Sequence, residues 1–237
     1  RGDEIKRERT EYDRNYESGV QTIKKFVEIF KKESSNEATE GIAIPGYSSK
    51  ETGLVHNANS NWLNNKHFKK DLENKLNCEV KMMNDANCFA LSEAIDGAGK
   101  DFKSVFGIII GTGFGGGLSY KKEIIDGANQ VAGDWGHQPL PYPTEEEKNS
   151  KIKCTLPTCG RPLCAEQFIS GTGFTKNFNL KYNTNYKAPE IVALDKKGDP
   201  KANKEFELYE DRFARLIAVM IGIFDPEAII LGGGMSN

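Results

Sequence analysis

The most informative part of the chain is the apolar run Val105-Phe106-Gly107-Ile108-Ile109-Ile110, followed directly by Gly111-Thr112-Gly113-Phe114-Gly115-Gly116-Gly117. The apolar run predicts a buried β-strand. Glycine permits positive φ and a close approach of the backbone to a ligand, and clustered N–H groups attract phosphate oxygens. We therefore expect residues 111–117 to form a turn that wraps phosphate groups, with a tight turn that binds no ligand as the alternative.

Two common phosphate-binding motifs do not fit this turn. Gly111, Gly113 and Gly116 have the spacing of the dinucleotide fingerprint, but that motif needs a following helix whose N-terminus faces the pyrophosphate. Residues 118–125 instead predict a β-hairpin that turns at Lys121-Lys122. The sequence contains no Gly-x4-Gly-Lys-Ser/Thr, which excludes the P-loop. Backbone amides between two strands are thus the predicted phosphate ligands.

Helix and strand patterns alternate along the rest of the chain. Apolar residues recur at helical spacing in residues 18–32, 67–76, 86–95 and 202–224. Further strands are predicted at residues 4–12, 42–44, 80–83 and 228–231. This alternation indicates an α/β fold. Because the first strand has no earlier partner and the last strand ends in glycines without a following helix, we expect a chain truncated at both ends.

The composition of the 237 residues excludes several classes of protein. The 32 basic and 34 acidic residues leave a net charge of −2, so no broad cationic field exists to bind nucleic acid. The apolar runs are too short to cross a membrane. Five cysteines, an odd number, argue against a disulfide framework and for a reducing, cytoplasmic location.

Several polar motifs complete the picture. Asn84-Asp85-Ala86-Asn87 stands at a predicted helix start, where Asp85 taken alone would be only an N-cap. It is one member of an ordered succession: Ile44-Pro45-Gly46, Asn57-Ala58-Asn59-Ser60-Asn61-Trp62-Leu63, the Asn84 motif, the glycine turn, Gly133-Asp134-Trp135-Gly136-His137, and Cys159-Gly160 with Cys164-Ala165-Glu166.

This succession resembles the ROK family of bacterial sugar kinases and sugar-responsive repressors, members of the actin-like ATPase superfamily. The resemblance covers essentially the whole chain. It implies a two-lobed actin-like ATPase (ribonuclease H-like) α/β fold, with the substrate cleft between a smaller lobe, residues 1–97, and a larger lobe, residues 98–237. It also implies a homodimer.

Within that family the chain looks most like the fructokinases, on the stretches 57–63, 92–97, 168–174 and 231–237. The implied reaction is transfer of the γ-phosphate of ATP to D-fructose, giving fructose 6-phosphate and ADP. Mannose, N-acetylglucosamine and glucose are alternative substrates. A sugar-responsive repressor and a non-catalytic sugar-binding domain are rival classes, but a sensor needs neither Asp85 nor the full glycine turn.

The resemblance also assigns roles to individual residues. Asp85 would be the general base that takes the proton from the attacking sugar hydroxyl. The sugar would further contact Asn59, Asn84, Asp134, His137 and Glu166. The nucleotide would contact Gly111, Thr112, Gly113, Gly115, Gly116, Gly232, Gly233 and Gly234, and Mg²⁺ would accompany the ATP. The superfamily's first phosphate loop, an Asp-x-Gly-Gly-Thr-type turn, is absent from the sequence, so the chain alone is expected to be poorly active.

Two departures from the family pattern concern the sugar loop and a zinc cluster. Asp134 stands where most members have glutamate, so a water molecule could replace its direct bond to the sugar. A structural Zn²⁺ would bind His137, Cys154, Cys159 and Cys164, although the cysteine spacing also fits three unrelated thiols. Leu163 replaces the second glycine of the family's cluster.

Two remaining features have plain structural explanations. Trp62 could stack on a sugar or pack beneath the substrate loop. The acidic run Thr144-Glu145-Glu146-Glu147-Lys148 predicts a solvated helix start without chemistry.

Overall fold

A computed structural model of the protein describes residues 4, 6–33, 38–150 and 159–236. The chain divides into two compact units, Arg1–Cys88 with Asp126–Val131, and Phe89–Ile125 with Ala132–Asn237. The boundary expected at residue 97 stays a prediction. Helices and strands alternate as expected, which confirms the α/β class. Among the described residues, no helix is both long and apolar enough to cross a membrane.

The first unit is built on two parallel strands. Its elements are α1 (Tyr16–Glu33), β1 (Glu40–Ile44), β2 (Tyr47–Ser48), β3 (Val55–His56), a 3-10 turn (Asn61–Leu63), α2 (Phe68–Leu76), β4 (Val80–Asn84) and the start of α3 (Asp85–Ile95). Strand β1 pairs with β4 so that Ile44 lies opposite Asn84, while β2 and β3 form a short hairpin. The core consists of Val20, Ile44, Val55, Ala58, Leu63, Phe68, Leu72 and Val80.

The strand predicted at residues 4–12 is wrong. Residues 6–13 have no regular secondary structure, and the first described element is α1, which begins at Tyr16. A strand needs a neighbour that pairs with its backbone N–H and C=O groups. Within the described ranges no strand pairs with this segment.

The second unit contains a four-stranded sheet and most of the helices. Its strands are β5 (Ser104–Ile110), β6 (Phe114–Tyr120), β7 (Glu123–Ile124) and β8 (Ala228–Gly232), in the order β7-β6-β5-β8. Strand β5 is antiparallel to β6 and parallel to β8. The hairpin predicted at Lys121-Lys122 is confirmed, and both lysines have the positive φ that a tight hairpin turn requires, 52° and 64°.

The turn in the glycine segment is shorter than the turn predicted at residues 111–117. Residues 111–113 form the turn, whereas Gly115, Gly116 and Gly117 pair with β5 inside strand β6. A side chain would clash at Gly116, because a Cβ there would lie 2.9 Å from the Phe106 ring and 3.0 Å from Nε1 of Trp135. Part of the glycine signal therefore reports close packing within the sheet.

Besides α3, whose Phe89 and Ala90 pack on β8 and β5, five helices of the second unit lie within the described residues. They are α4 (Glu145–Lys148), α5 (Ala165–Ile169), α6 (Gly171–Tyr182), α7 (Ala188–Lys196) and α8 (Pro200–Phe224), followed after β8 by a 3-10 turn (Gly234–Ser236). Helix α8 begins where the Asp199 carboxylate accepts the amides of Lys201 and Ala202, and Pro200 lacks the N–H that would need a partner. It ends at Asp225, which has a φ of 46° and precedes Pro226.

Glu147 corrects the expectation that the acidic run is solvated. The predicted helix start exists, with Thr144 and Glu147 in a capping box, but Glu147 is only 2% exposed. Its Oε1 accepts hydrogen bonds from Nε of Arg212 at 2.7 Å and from Nη2 of Arg215 at 2.8 Å. Helix α4 is thereby fixed to α8, because an unpaired carboxylate would be costly at this depth.

Candidate functional site

In the first unit, Asn84 is the main cap of helix α3, and Asp85 shares one of its amides. Asn84 Oδ1 accepts the backbone amides of Ala86 at 2.9 Å and Asn87 at 3.2 Å. Its Nδ2 donates to the Gly46 carbonyl at 2.9 Å. Asp85 is the first residue of α3 and is exposed. The Asp85 carboxylate therefore stands at the helix N-terminus, where its Oδ1 also accepts the Ala86 amide at 2.9 Å, while Asn84 alone reaches the Asn87 amide.

Gly46 connects this helix start to the loop that carries Asn59. Gly46 has a φ of +74°, and a Cβ there would collide with the His56 carbonyl and lie 2.6 Å from the Ala58 amide. The Asn64 side chain fixes the same loop, since it bonds both the amide and the carbonyl of Ala58 at 2.9 Å. Asn84, at the end of β4, and the loop that carries Asn59 thus meet at Gly46.

Trp62 packs inside the first unit. Its ring lies 5.8 Å from Tyr12 and 6.1 Å from Phe68, edge to face in both cases. A Cβ on Gly19 of α1 would be 2.7 Å from the indole. Of the two roles considered for Trp62, packing agrees with these contacts.

In the second unit, the glycine turn is joined to helices α5 and α6. The Gly111 amide donates to Gly113 O at 2.9 Å, and the Gly111 carbonyl accepts the amide of Gly171 at 2.8 Å. The amide of Phe114 donates to Oε2 of the buried Glu166 at 3.3 Å. The turn is therefore positioned by side-chain and backbone partners from both helices.

A cavity of about 1020 Å³ opens beside this turn. Helix α6, the α6–α7 loop and the 3-10 turn after β8 form its other walls. Its lining consists of Gly111, Thr112, Gly171, Thr172, Thr175, Lys176, Asn179, Leu180, Asn183, Thr184, Asn185, Tyr186, Lys187, Ala188, Pro189, Gly234 and Met235. Among these described residues there are two lysines and no carboxylate.

Three of the predicted nucleotide residues line this cavity, namely Gly111, Thr112 and Gly234. Gly113 lies behind the turn, where its Cβ position is 3.0 Å from Glu166 Oε2. Gly233 has a φ of +95° and packs on the Ile110 carbonyl, and a Cβ on Gly232 would be 2.6 Å from the Phe89 ring. Gly232 and Gly233 therefore permit close packing at the end of β8.

The sequence analysis did not identify the α6 and α7 side of the cavity. Helix α6 opens with Gly171-Thr172-Gly173, which are poor helix formers, so its helical pattern is concealed. The signal that could have found it is Ser170, whose hydroxyl accepts the amide of Gly173 as an N-cap at 3.0 Å.

The segment with Asp134 and His137 packs directly on strand β6. Gly133 has a φ of +86° and lies against Gly116, and a Cβ on Gly136 would collide with the Phe114 carbonyl. Asp134 is exposed as a residue, yet its pKa is raised, chiefly because surrounding atoms exclude water from its carboxylate and also because Glu166 is nearby. His137 and Arg161 partly offset this effect, because each lowers the pKa of Asp134.

His137, Cys159 and Cys164 form a group that can hold a metal ion. Their ligand atoms all lie within 4.8 Å of one another. His137 Nδ1 is 3.3 Å from Cys164 Sγ, and the two Sγ atoms are 3.8 Å apart. Imidazole and thiolate ligands suit Zn²⁺, whose structural sites take four of them. The predicted fourth ligand, Cys154, lies outside the described residues.

The backbone conformation of Leu163 explains why the family pattern has a glycine at this position. Its φ is 56°, in the left-handed region that glycine adopts without strain. The backbone keeps the conformation, since the Leu163 carbonyl accepts the Leu140 amide at 2.7 Å and the side chain packs on the core.

A family model and curated relatives match nearly the whole chain. The model is described as the ROK family and matches residues 2–237. The N-acetyl-D-glucosamine kinase of Vibrio cholerae is 38% identical over 223 residues, which cover 94% of this chain and 74% of the relative. That of Shigella boydii is 37% identical over 197 residues, covering 83% and 65% respectively. These relatives carry a different sugar in their names from the fructose that the resemblance suggested.

Solved structures give the same fold. The ROK hexokinase from Thermus thermophilus superposes with a TM-score of 0.80 at 23% identity, over 94% of this chain and 71% of that one. The ROK family glucokinase from Streptomyces griseus, solved with glucose and AMPPNP, gives a TM-score of 0.73 at 24% identity, over 95% and 74%. The predicted α/β actin-like ATPase fold is confirmed.

Proposed function

The chain belongs to the ROK family, and on that premise we propose that it is an ATP-dependent hexose kinase. The observation that carries the proposal is the cavity of about 1020 Å³ beside the Gly111–Gly113 turn. A nucleoside triphosphate needs a cavity of this size with a polyanion site at one side. Lys176 and Lys187 in the lining, with no carboxylate among the described lining residues, suit such a ligand.

The phosphate groups would lie against the turn and helix α6. Gly111 and Thr112 offer backbone next to the first turn of α6, to which Gly111 is hydrogen-bonded through Gly171. The N-terminus of a helix carries partial positive charge and exposed N–H groups, both of which favour phosphate. Mg²⁺ bound to the nucleotide would neutralise charge on the transferred phosphoryl group.

Asp85 would act as the general base. Its carboxylate is exposed at the first residue of α3, and the Asn84 cap holds that helix start in place. Phosphoryl transfer to an alcohol needs a group that accepts the hydroxyl proton as the oxygen attacks phosphorus. Asn59, Asn84, Asp134, His137 and Glu166 would hold the remaining hydroxyl groups of the sugar.

A structural Zn²⁺ would bind His137, Cys159 and Cys164, with Cys154 as the fourth ligand. The metal would tie the segment that carries His137 to the start of α5, which carries Glu166. Both are proposed sugar residues, so the ion would act on binding and stability and would not touch the transferred phosphoryl group.

N-acetyl-D-glucosamine is the first substrate to test, and D-fructose is the second. The relatives reported above, at 37% and 38% identity, are named for the former. The resemblance of residues 57–63 and 168–174 to fructokinases supports the latter. The homodimer and the cytoplasmic location remain predictions, and sedimentation velocity would measure the first of them.

The test is a coupled assay of ADP release with Mg²⁺–ATP and a panel of the two sugars, glucose and mannose, on the full-length protein, because a chain without the superfamily's first phosphate loop is expected to be poorly active. We expect sugar-dependent ADP release, greatest with N-acetyl-D-glucosamine. Release no faster than the sugar-free rate with every sugar would contradict the proposal. Greatest release with D-fructose would correct the substrate and leave the kinase assignment intact.

The same assay tests Asp85. Because a general base contributes about 10²–10⁴-fold, Asp85→Asn should lower kcat by at least about a hundredfold and leave sugar affinity nearly unchanged. Asp101→Asn, at another exposed aspartate, is the matched control and should keep the parent kcat. Near-normal turnover of Asp85→Asn would show that Asp85 is not the base.

A further inference from the structure

One wall of the cavity is a loop to which a single side chain makes three hydrogen bonds. The loop is residues 183–187, between α6 and α7, and four of its residues besides Asn183 line the cavity. Asn179 lies one turn before the end of α6. Its Oδ1 accepts the Tyr186 amide and the Thr184 hydroxyl, both at 2.8 Å. Its Nδ2 donates to the Tyr186 carbonyl at 2.8 Å.

These bonds restrain the Tyr186 backbone from both sides. Asn179 engages both the N–H and the C=O of Tyr186, so this side chain fixes the residue much as a neighbouring strand would. The main-chain carbonyl of Asn179 also accepts the amide of Thr184 at 3.0 Å. Beyond the loop, the Lys187 amide donates to Glu190 of α7 at 2.6 Å. The loop is thus anchored to a helix at each end.

We propose that Asn179 is a positioning residue for nucleotide binding, which acts by holding the wall formed by residues 184–187. The proposal rests on the proposed function, because it takes the ligand of this cavity to be ATP. Asn179 does not act on the transferred phosphoryl group. Without its side chain, Tyr186 and Thr184 lose three hydrogen bonds, and ATP must order the loop as it binds. Nucleotide affinity therefore falls while sugar affinity and the chemical step are unaffected.

The test compares Asn179→Ala with Asn203→Ala by calorimetric titration with Mg²⁺–ATP and by kinetics. Asn203 is a matched control, because it is equally half-buried and its side chain also ties two segments, α8 and Asp195 at the end of α7. It does not line the cavity. We expect Asn179→Ala to raise the Kd and the KM for ATP by about tenfold, with kcat and the sugar KM within about twofold of the parent. Asn203→Ala should keep all four values.

Asn179→Asp is the second variant and guards against a folding defect. It has the shape of asparagine and keeps the oxygen that accepts both hydrogen bonds, but it cannot donate to the Tyr186 carbonyl and it adds a negative charge to the cavity wall. It should weaken ATP binding at an unchanged melting temperature. An unchanged Kd in both Asn179 variants, or an equal loss in Asn203→Ala, would overturn the proposal. If the parent protein binds no ATP, the proposed function itself fails, which is a separate and recognisable result.

Discussion

Glu166 Oε2 accepts the backbone amide of Phe114 across 3.3 Å, at the point where the glycine turn enters strand β6. The same carboxylate oxygen lies 3.0 Å from the position of a Cβ on Gly113, so the turn has no room for a side chain there. Glu166 belongs to α5 and is buried with the rest of that helix. A proposed sugar residue is therefore also a support of the proposed phosphate turn, which links the two substrates through one carboxylate.

Glu166→Gln tests this double role. The amide keeps the shape but replaces a charged acceptor by a neutral one, which weakens the bond to Phe114 by about 1 kcal/mol. We expect the KM for ATP to rise by about fivefold, together with a rise in the sugar KM. Glu146→Gln, on the exposed α4 surface, is the control. If only the sugar KM changed, the Phe114 bond would not be what positions the turn.

Gly171→Ala tests the junction between the turn and α6. A Cβ there would lie 3.1 Å from the Gly111 carbonyl and 3.2 Å from Cγ of Met235. Met235 can rotate away but the Gly111 backbone cannot, so the turn should shift and ATP affinity should fall by about three- to tenfold. Titration with Mg²⁺–ATP measures this.

Gly222→Ala is the matched control for that substitution. Gly222 lies in α8 with open space around its Cβ position, so alanine there should raise the free energy of unfolding by about 0.5–1 kcal/mol. ATP affinity should not change. Equal ATP affinities of Gly171→Ala and the parent protein would show that the close contact between residue 171 and the Gly111 carbonyl does not position the turn.

Local signals in the sequence predicted much of the fold. Apolar spacing predicts α2, α8, β4 and β5 to within two residues. Helices α2 and α8 bury apolar residues at helical spacing, and β5 is buried along most of its length. The hairpin at Lys121-Lys122 follows from alternation on both sides of a short polar turn. The strand predicted at residues 4–12 was wrong, because a strand depends on a pairing partner and a local sequence pattern does not show whether one is present.

The candidate site was less predictable, for a physical reason. The glycines looked alike in the sequence, but Gly111 lines the cavity whereas Gly116 makes room for Trp135. Only tertiary packing separates these two uses. Glu147 shows the same limitation, since nothing near it in the sequence reveals that Arg212, 65 positions later, neutralises it in the interior.

Zinc content is measurable on the purified protein. Cys159→Ser should lose bound zinc and lower the melting temperature, because a structural metal contributes directly to folding free energy. Cys78→Ser is the control, since Cys78 lies in the first unit near Lys31 and Glu40. It should retain the metal. Absence of zinc from the parent protein after purification in zinc-containing buffer would contradict the proposed ion.

Removing one partner from the pairing of Glu147 with Arg212 and Arg215 should destabilise the protein at neutral pH. Glu147→Gln leaves Arg212, which is 7% exposed, without a counter-charge. Breaking a buried ion pair from one side costs about 3–5 kcal/mol, and the lower end applies because Arg215 keeps some contact with water. Urea unfolding at pH 7 measures the loss. Glu146→Gln, one residue earlier and exposed, should cost less than about 1 kcal/mol.

The same group gives a pH dependence with a definite sign. Burial alone would raise the pKa of Glu147, but hydrogen bonds from Arg215, Arg212 and the Thr144 amide outweigh it and lower the pKa below its ordinary value. A lowered folded-state pKa means that the stabilisation is complete above the unfolded-state pKa, near 4.5. It is lost as the pH falls through the folded-state value. The difference in unfolding free energy between the parent and Glu147→Gln should therefore shrink on acidification, and a difference that stays constant down to acid unfolding would contradict the ionised pairing.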